Sequence, residues 1–90
     1  MMEEFIIVAN QTLTKEEKAI YSDNKGSVLK TILLFNQNET EAKVTFVFDG
    51  VYFDYLLPSK DMRIINSPIL TKEIKAIGEN VNVHITGLQL

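Results

Sequence analysis

The stretch of sequence that decides the fold reads Val44-Thr45-Phe46-Val47-Phe48-Asp49-Gly50-Val51-Tyr52-Phe53-Asp54-Tyr55-Leu56-Leu57. Asp49-Gly50 between β-branched and aromatic residues is the strongest short-range signal of a two-residue hairpin, because both positions of a type I′ turn need positive φ. One face of this hairpin is predicted to pair Phe48 with Val51, Phe46 with Phe53 and Val44 with Tyr55. The other face would pair Val47 with Tyr52, Thr45 with Asp54 and Lys43 with Leu56. A slip of one residue would exchange the two faces, so we expect this register, with Phe46 and Phe53 both in the core.

The segments on either side of the hairpin also have the pattern of strands. Residues 27–35 are apolar on both faces, which is typical of a central strand, and residues 36–41 form a polar loop after it. Toward the start of the chain, residues 5–9 are predicted as a strand, Asn10-Gln11 as a turn, and residues 22–26 as a break. Beyond the hairpin, Pro58 ends the strand, residues 62–66 form a short strand, and residues 81–87 alternate with Val81, Val83 and Ile85 pointing inward.

Two segments are ambiguous between helix and strand. Thr14-Lys15-Glu16-Glu17 matches a capping box that would begin a helix over residues 15–21. The alternative is a strand over residues 18–22 with residues 15–17 as an exposed turn, and we favour this strand. Over residues 69–77, the apolar residues Leu70, Ile74 and Ile77 have helical spacing with Gly78 after them, yet residues 72–76 also alternate, so both interpretations stay open.

Turn signals that recur roughly every 8–12 residues indicate an all-β protein. We predict one domain, residues 1–90, folded as a small antiparallel β-sandwich of the jelly-roll type.

Composition and charge exclude several kinds of site. The net charge is −3 and the Lys and Arg residues are scattered, which argues against nucleic acid as a partner. The chain has no Cys, so disulfides and cysteine-based zinc sites are excluded. The acidic start and the short apolar run that follows it predict neither a signal peptide nor a membrane-spanning segment.

No pattern of residues predicts catalysis, a metal site or a cofactor. His84 is the single histidine and is expected to share an outward face with Asn82 and Thr86, where one imidazole has no predicted catalytic partner. No nucleophile elbow, calcium loop or glycine-rich phosphate loop is present. Tyr21, Tyr52 and Tyr55 suggest an alternative function as a small carbohydrate- or ligand-binding β-sandwich module. The register places Tyr55 on the apolar face, however, and we favour packing in the core or against another subunit as the role of the tyrosines.

Several segments resemble small bacteriophage virion proteins. The resemblance covers residues 18–90 and lies in Val28-Leu29-Lys30-Thr31-Ile32-Leu33-Leu34-Phe35-Asn36, in Leu56-Leu57-Pro58-Ser59-Lys60-Asp61-Met62 and in Val83-His84-Ile85-Thr86-Gly87. Asp23-Asn24-Lys25-Gly26 departs from the family, which often has Pro-Ala-Gly before the long strand. The resemblance implies a small β-sandwich without catalysis, serving as a tail, connector or decoration protein of a phage or prophage-derived particle. It further implies assembly in the host cytoplasm, with other virion proteins as partners.

Apolar residues in excess of what one domain can bury predict self-association. Leu29, Leu33 and Phe35 are expected on one face of the long strand, and a two-layer sandwich of this size can cover only one face of each sheet. Phe5 and Ile7 belong to a first strand that is expected at an edge, where unpaired backbone groups invite another chain. We therefore predict a homo-oligomer whose interface contains Phe5, Ile7, Leu29, Leu33 and Phe35.

Overall fold

Seven β-strands make up the fold in a computed structural model that describes residues 4–90. Their bounds are β1 (Ile6–Thr12), β2 (Lys18–Asn36), β3 (Ala42–Phe48), β4 (Val51–Leu57), β5 (Met62–Ile65), β6 (Ile69–Ile77) and β7 (Val81–Gln89). Residues 4–90 contain no helix. Both ambiguous segments are therefore strands, and residues 15–17 form the exposed turn that we favoured.

All strand pairs are antiparallel and belong to one sheet in the order β1-β7-β2-β6-β3-β4, with β5 paired to β2 beside β6. This confirms the prediction of an all-β antiparallel fold in one compact domain. The two-sheet, jelly-roll arrangement is not confirmed, because hydrogen bonding runs through all seven strands as one sheet. A single core nevertheless contains buried side chains from β1, β2, β3, β4, β6 and β7.

The β3–β4 hairpin has the predicted register at every pair from Lys43–Leu56 to Phe48–Val51. Asp49 and Gly50 have φ of 51° and 88°, as a type I′ turn requires. The prediction that Phe53 is in the core was wrong: Phe46 is fully buried, but Phe53 is 47% exposed. β4 is the last strand of the sheet, so half of its apolar face meets solvent.

The strand β2 is longer than predicted, because residues 22–26 bend it without ending it. Asp23 Oδ1 accepts hydrogen bonds from the backbone nitrogens of Lys25 and Gly26 at 2.8 and 3.3 Å, so these two backbone donors are paired within the bend itself. Gly26 has a φ of +83°, and the pairing with β6 shifts between Ser22 and Ser27. The first half of β2 pairs with β6, and the second half pairs with β7 and β5.

A second irregularity in β2 corrects the predicted interface face. The pairing of β2 with β7 shifts between Leu29 and Thr31, as in a β-bulge. A bulge adds one residue, so the side chains beyond it exchange faces. Leu29 therefore faces the core with Ile32 and Leu34, at 0–1% exposure, and does not share a face with Leu33 and Phe35.

The first strand also differs from the prediction. Asn10 and Gln11 do not form a turn, because they lie inside β1 opposite His84 and Val83. At the other end of the chain, β7 has the predicted alternation, with Val81, Val83 and Ile85 buried.

Candidate functional site

The predicted interface residues do not form one surface. Phe5 and Ile7 are 64% and 63% exposed at the start of the chain, whereas Leu29 is fully buried. Leu33 and Phe35 are half-buried and point away from the core. Leu29 is therefore removed from the set of residues available to another chain, and the interface role of Phe5, Ile7, Leu33 and Phe35 stays a prediction.

Leu33 and Phe35 belong to a surface that we call the outer face, formed by β1, β7, β2 and β5 on the side away from the core. Strand register places its side chains in two rows across the sheet. One row is Asn10, His84, Leu33 and Ile64, and the other is Thr12, Asn82, Phe35 and Met62. Each row therefore changes from polar side chains at β1 and β7 to apolar side chains at β2 and β5.

A groove of about 430 Å³ crosses the outer face where these two rows meet. We call it the β7 groove, and its lining residues are Asn10, Gln11, Thr12, Leu33, Phe35, Met62, Asn82, Val83 and His84. Thr12 Oγ1 and Gln37 Nε2 both donate hydrogen bonds to Asn82 Oδ1, at 2.6 and 2.9 Å. No lining residue is an acid, a lysine or an arginine, so the groove is polar and apolar in parts but carries no fixed charge.

At the end of β2, the buried side chain of Asn36 organises the adjacent loop. Its Nδ2 donates to the carbonyl oxygens of Thr40, Leu57 and Pro58 at 2.9, 3.1 and 3.0 Å. Its Oδ1 accepts from the backbone nitrogen of Asn38 at 2.9 Å. The sequence showed only a polar loop here, because nothing in a local pattern indicates that Asn36 reaches the end of β4.

The hairpin carries another concave surface, which is apolar and has a volume of about 350 Å³. It is lined by Phe48, Asp49, Val51, Phe53, Tyr55, Ile69 and Leu70. The apolar side chains that β4 exposes by 47–61% are Val51 and Phe53, which line this surface, and Tyr52 and Leu56, which do not. This surface was not predicted, because the alternating apolar residues of β4 are also typical of a strand that faces the core.

Asp49 fastens the hairpin turn to β6. Its Oδ1 accepts hydrogen bonds from the backbone nitrogens of Lys72 and Glu73, both at 2.9 Å, and its own nitrogen donates to the Glu73 carbonyl at 3.1 Å. The bond from Lys72 is the largest cause that lowers the pKa of Asp49 below its ordinary value. Asp49 therefore forms part of the turn and also connects the turn to β6, a strand that is distant in sequence.

The three tyrosines do not form one surface on which a sugar could stack, which was the alternative to packing in the core. Tyr52 donates a hydrogen bond to Glu17 Oε1 at 3.0 Å, and this contact raises the pKa of Tyr52. Tyr55 lies on the opposite face of β4 and packs edge-on against Phe46, with ring centroids 6.0 Å apart. Tyr21 Oη donates to Gln89 at 3.4 Å. Their different partners and faces exclude one shared platform.

Among residues 4–90, no three His, Asp or Glu side chains lie close enough together to hold a metal ion. That same span has no helix long and apolar enough to cross a membrane. Comparisons of the chain with protein-family models, with curated proteins and with solved structures found no match.

Proposed function

We propose that this protein is a non-enzymatic structural subunit that acts through self-association and contacts with other proteins. The free side of β4 is the observation that carries the proposal. The resemblance to small virion proteins supports a place in a phage or prophage-derived particle assembled in the host cytoplasm, with other virion proteins as partners.

The backbone of β4 has hydrogen-bonding groups that no strand within residues 4–90 uses. In a two-residue hairpin the residues next to the turn form a hydrogen-bonded pair, and the bonded pairs then alternate along the ladder. Phe48–Val51 is that first pair, so Val51, Phe53 and Tyr55 point their backbone groups toward β3. Tyr52, Asp54 and Leu56 point theirs to the free side, where another strand can bond them.

The side chains of β4 favour such pairing. Val51, Tyr52, Phe53 and Leu56 are 56%, 61%, 47% and 54% exposed. Edge strands of soluble proteins usually carry charges, prolines or bulges that prevent pairing with another chain. Within β4 the only charged side chain is Asp54, which accepts a hydrogen bond from Thr45 Oγ1 at 2.7 Å. The strand therefore lacks the usual protection against association.

A second copy of the chain fits this edge if the two β4 strands run antiparallel about a two-fold axis. The free backbone N–H and C=O groups of the two strands face each other only when the axis passes through a residue, so that this residue lies opposite its own copy. An axis at Asp54 would set the two Asp54 carboxylates opposite each other, and like charges are unfavourable there. An axis at Phe53 or at Tyr55 avoids this and brings two identical aromatic rings together, which is a favourable cross-strand pair.

The proposal is tested by removing one backbone donor from the free side of β4. Proline at position 54 deletes an N–H that points away from β3, so the hairpin keeps its own bonds. Asp54→Ala is the matched control, because both variants lose the bond from Thr45 while only proline lacks the N–H. Size-exclusion chromatography with light scattering should give an oligomer for the wild type and Asp54→Ala, and a monomer for Asp54→Pro.

Circular dichroism shows whether each variant is folded. A wild type that remains monomeric at high concentration would contradict self-association. An Asp54→Pro variant that is folded and still oligomeric would exclude β4 as the contact. Should Asp54→Pro fail to fold, Leu56→Lys places a charge on the same edge without changing the backbone, and it is expected to give the monomer.

A further inference from the structure

We infer that the β7 groove is a binding site for an uncharged, polyhydroxylated ligand, and that a neutral carbohydrate is its chemical class. The groove lies over β1, β7 and β2, whereas β4 is the last strand at the other end of the sheet. The inference therefore does not depend on self-association through β4.

The polar side of the groove provides hydrogen-bonding groups that the protein leaves free. Asn82 Oδ1 already accepts two hydrogen bonds, from Thr12 and Gln37, and these fix the orientation of its amide. Asn82 Nδ2 has no acceptor within residues 4–90. The side chains of Asn10 and His84 have no hydrogen-bond partner in the same part of the chain, so each can bind a ligand hydroxyl.

The apolar side provides a wall against which a sugar ring can pack. Phe35 and Leu33 lie directly across from Asn82 and His84 in the pairing of β2 with β7. Met62 extends this wall from β5, opposite Phe35, and is 56% exposed. A sugar ring has hydroxyls around its edge and C–H groups on its faces. The amides can therefore form hydrogen bonds with the hydroxyls, while the aromatic ring packs against the C–H groups.

The size and charge of the groove narrow the ligand class. Its volume of about 430 Å³ is in the range of about 300–1,000 Å³ that small-molecule sites occupy. Phosphates and carboxylates are normally recognised by Arg or Lys, and neither residue lines the groove. The chemistry therefore selects against an anionic ligand and favours a neutral one held by amides and apolar contact.

Titration of the isotope-labelled protein with single neutral sugars tests this assignment by NMR. The probes are glucose, galactose, mannose and N-acetylglucosamine, with glucuronate as the anionic comparison. We expect at least one neutral sugar to give saturable shifts of β1 and β7 amides around Asn10, Asn82 and His84, with an affinity in the millimolar range. Glucuronate should bind no more tightly than glucose.

Asn82→Asp and Asn66→Asp form a matched pair of variants on the outer face. In Asn82→Asp a carboxylate oxygen still accepts from Thr12 and Gln37, but the amide donor is lost and a charge is added. Asn66 lies outside the groove, where its Oδ1 accepts from Thr31 Oγ1 at 3.3 Å. We expect Asn82→Asp to weaken binding by about tenfold or more, and Asn66→Asp to leave binding unchanged.

Three results would overturn the inference. The first is the absence of saturable shifts with every neutral sugar. The second is shifts that map away from the groove, and the third is tight binding of glucuronate alone. Each of these results can be detected with the wild-type protein alone, so the inference remains testable even if Asn82→Asp does not fold.

Discussion

At the residue scale, the Asp49 carboxylate links the hairpin to β6 through hydrogen bonds from the backbone nitrogens of Lys72 and Glu73. Its pKa in the folded protein is below the ordinary value of 3.8, chiefly because of the hydrogen bond from the Lys72 amide. A depressed folded-state pKa means that the ionised carboxylate stabilises the fold above pH 3.8, and that this stabilisation is lost as the pH falls through the folded-state value. We therefore expect the free energy of unfolding to fall more steeply on acidification for the wild type than for Asp49→Asn.

Urea unfolding followed by circular dichroism at a series of acidic pH values measures this difference. Asparagine is a suitable replacement, because Asn-Gly also favours the type I′ turn and its Oδ1 can still accept from Lys72 and Glu73. The two proteins differ at residue 49 alone, so the comparison isolates Asp49. Equal pH dependence of the two proteins would show that its ionisation does not matter for stability.

The buried side-chain amide of Asn36 holds the loop after β2 against the end of β4. It is fully buried, and its Nδ2 donates to three carbonyl oxygens, including those of Leu57 and Thr40. Asn36→Ala leaves these acceptors without their donor, so we expect the free energy of unfolding to fall by about 1–3 kcal/mol. Asn66→Ala removes an exposed amide and should change it by less than about 0.5 kcal/mol. Chemical denaturation that gives equal values for the two variants would contradict a structural role for Asn36.

At the scale of elements, the β3–β4 hairpin depends on the backbone conformation of Gly50. Its φ is +88°, and a Cβ added at this position would meet no atom within 4 Å. The cost of a side chain is therefore backbone strain alone, about 1–2 kcal/mol for an ordinary residue and more for a β-branched one. We expect Gly50→Val to lower the melting temperature clearly, and Gly50→Asn to lower it much less, because Asn tolerates this region. Equal decreases in melting temperature for Gly50→Val and Gly50→Asn would show that the positive φ of Gly50 does not determine the loss of stability.

The β3–β4 hairpin, whose register is decided locally, was predicted correctly, whereas features decided by distant contacts were not. Asp49-Gly50 fixes the hairpin register because the turn and the pairing residues are adjacent in sequence. The bulge between Leu29 and Thr31 was missed, because an extra residue in β2 becomes visible only in its pairing with β7. The β7 groove was not predicted for the same reason. Its residues Asn10, Asn82 and Phe35 are far apart in sequence, and only the strand order β1-β7-β2 brings them together.

On the scale of the whole molecule, the two surfaces proposed for function lie on different strands of one sheet. The domain is elongated, with extents of 45 × 24 × 18 Å. β1 and β4 are the two ends of the path of paired strands. Pairing through β4 therefore extends the sheet on the side away from the strands that carry the β7 groove, so a self-associated subunit keeps that groove available to a ligand.

Hydrogen exchange distinguishes pairing through β4 from association through the predicted residues Phe5, Ile7, Leu33 and Phe35. In the isolated subunit, the amides of Tyr52, Asp54 and Leu56 point away from β3 and should exchange quickly, whereas those of Phe53 and Tyr55 should exchange slowly. When the concentration is raised until the oligomer dominates, the outward amides should become protected while the inward ones change little. Protection that appears along β1 instead would assign the contact to the other edge of the sheet. Asp54→Pro provides the control, since its Tyr52 and Leu56 amides should exchange quickly at every concentration.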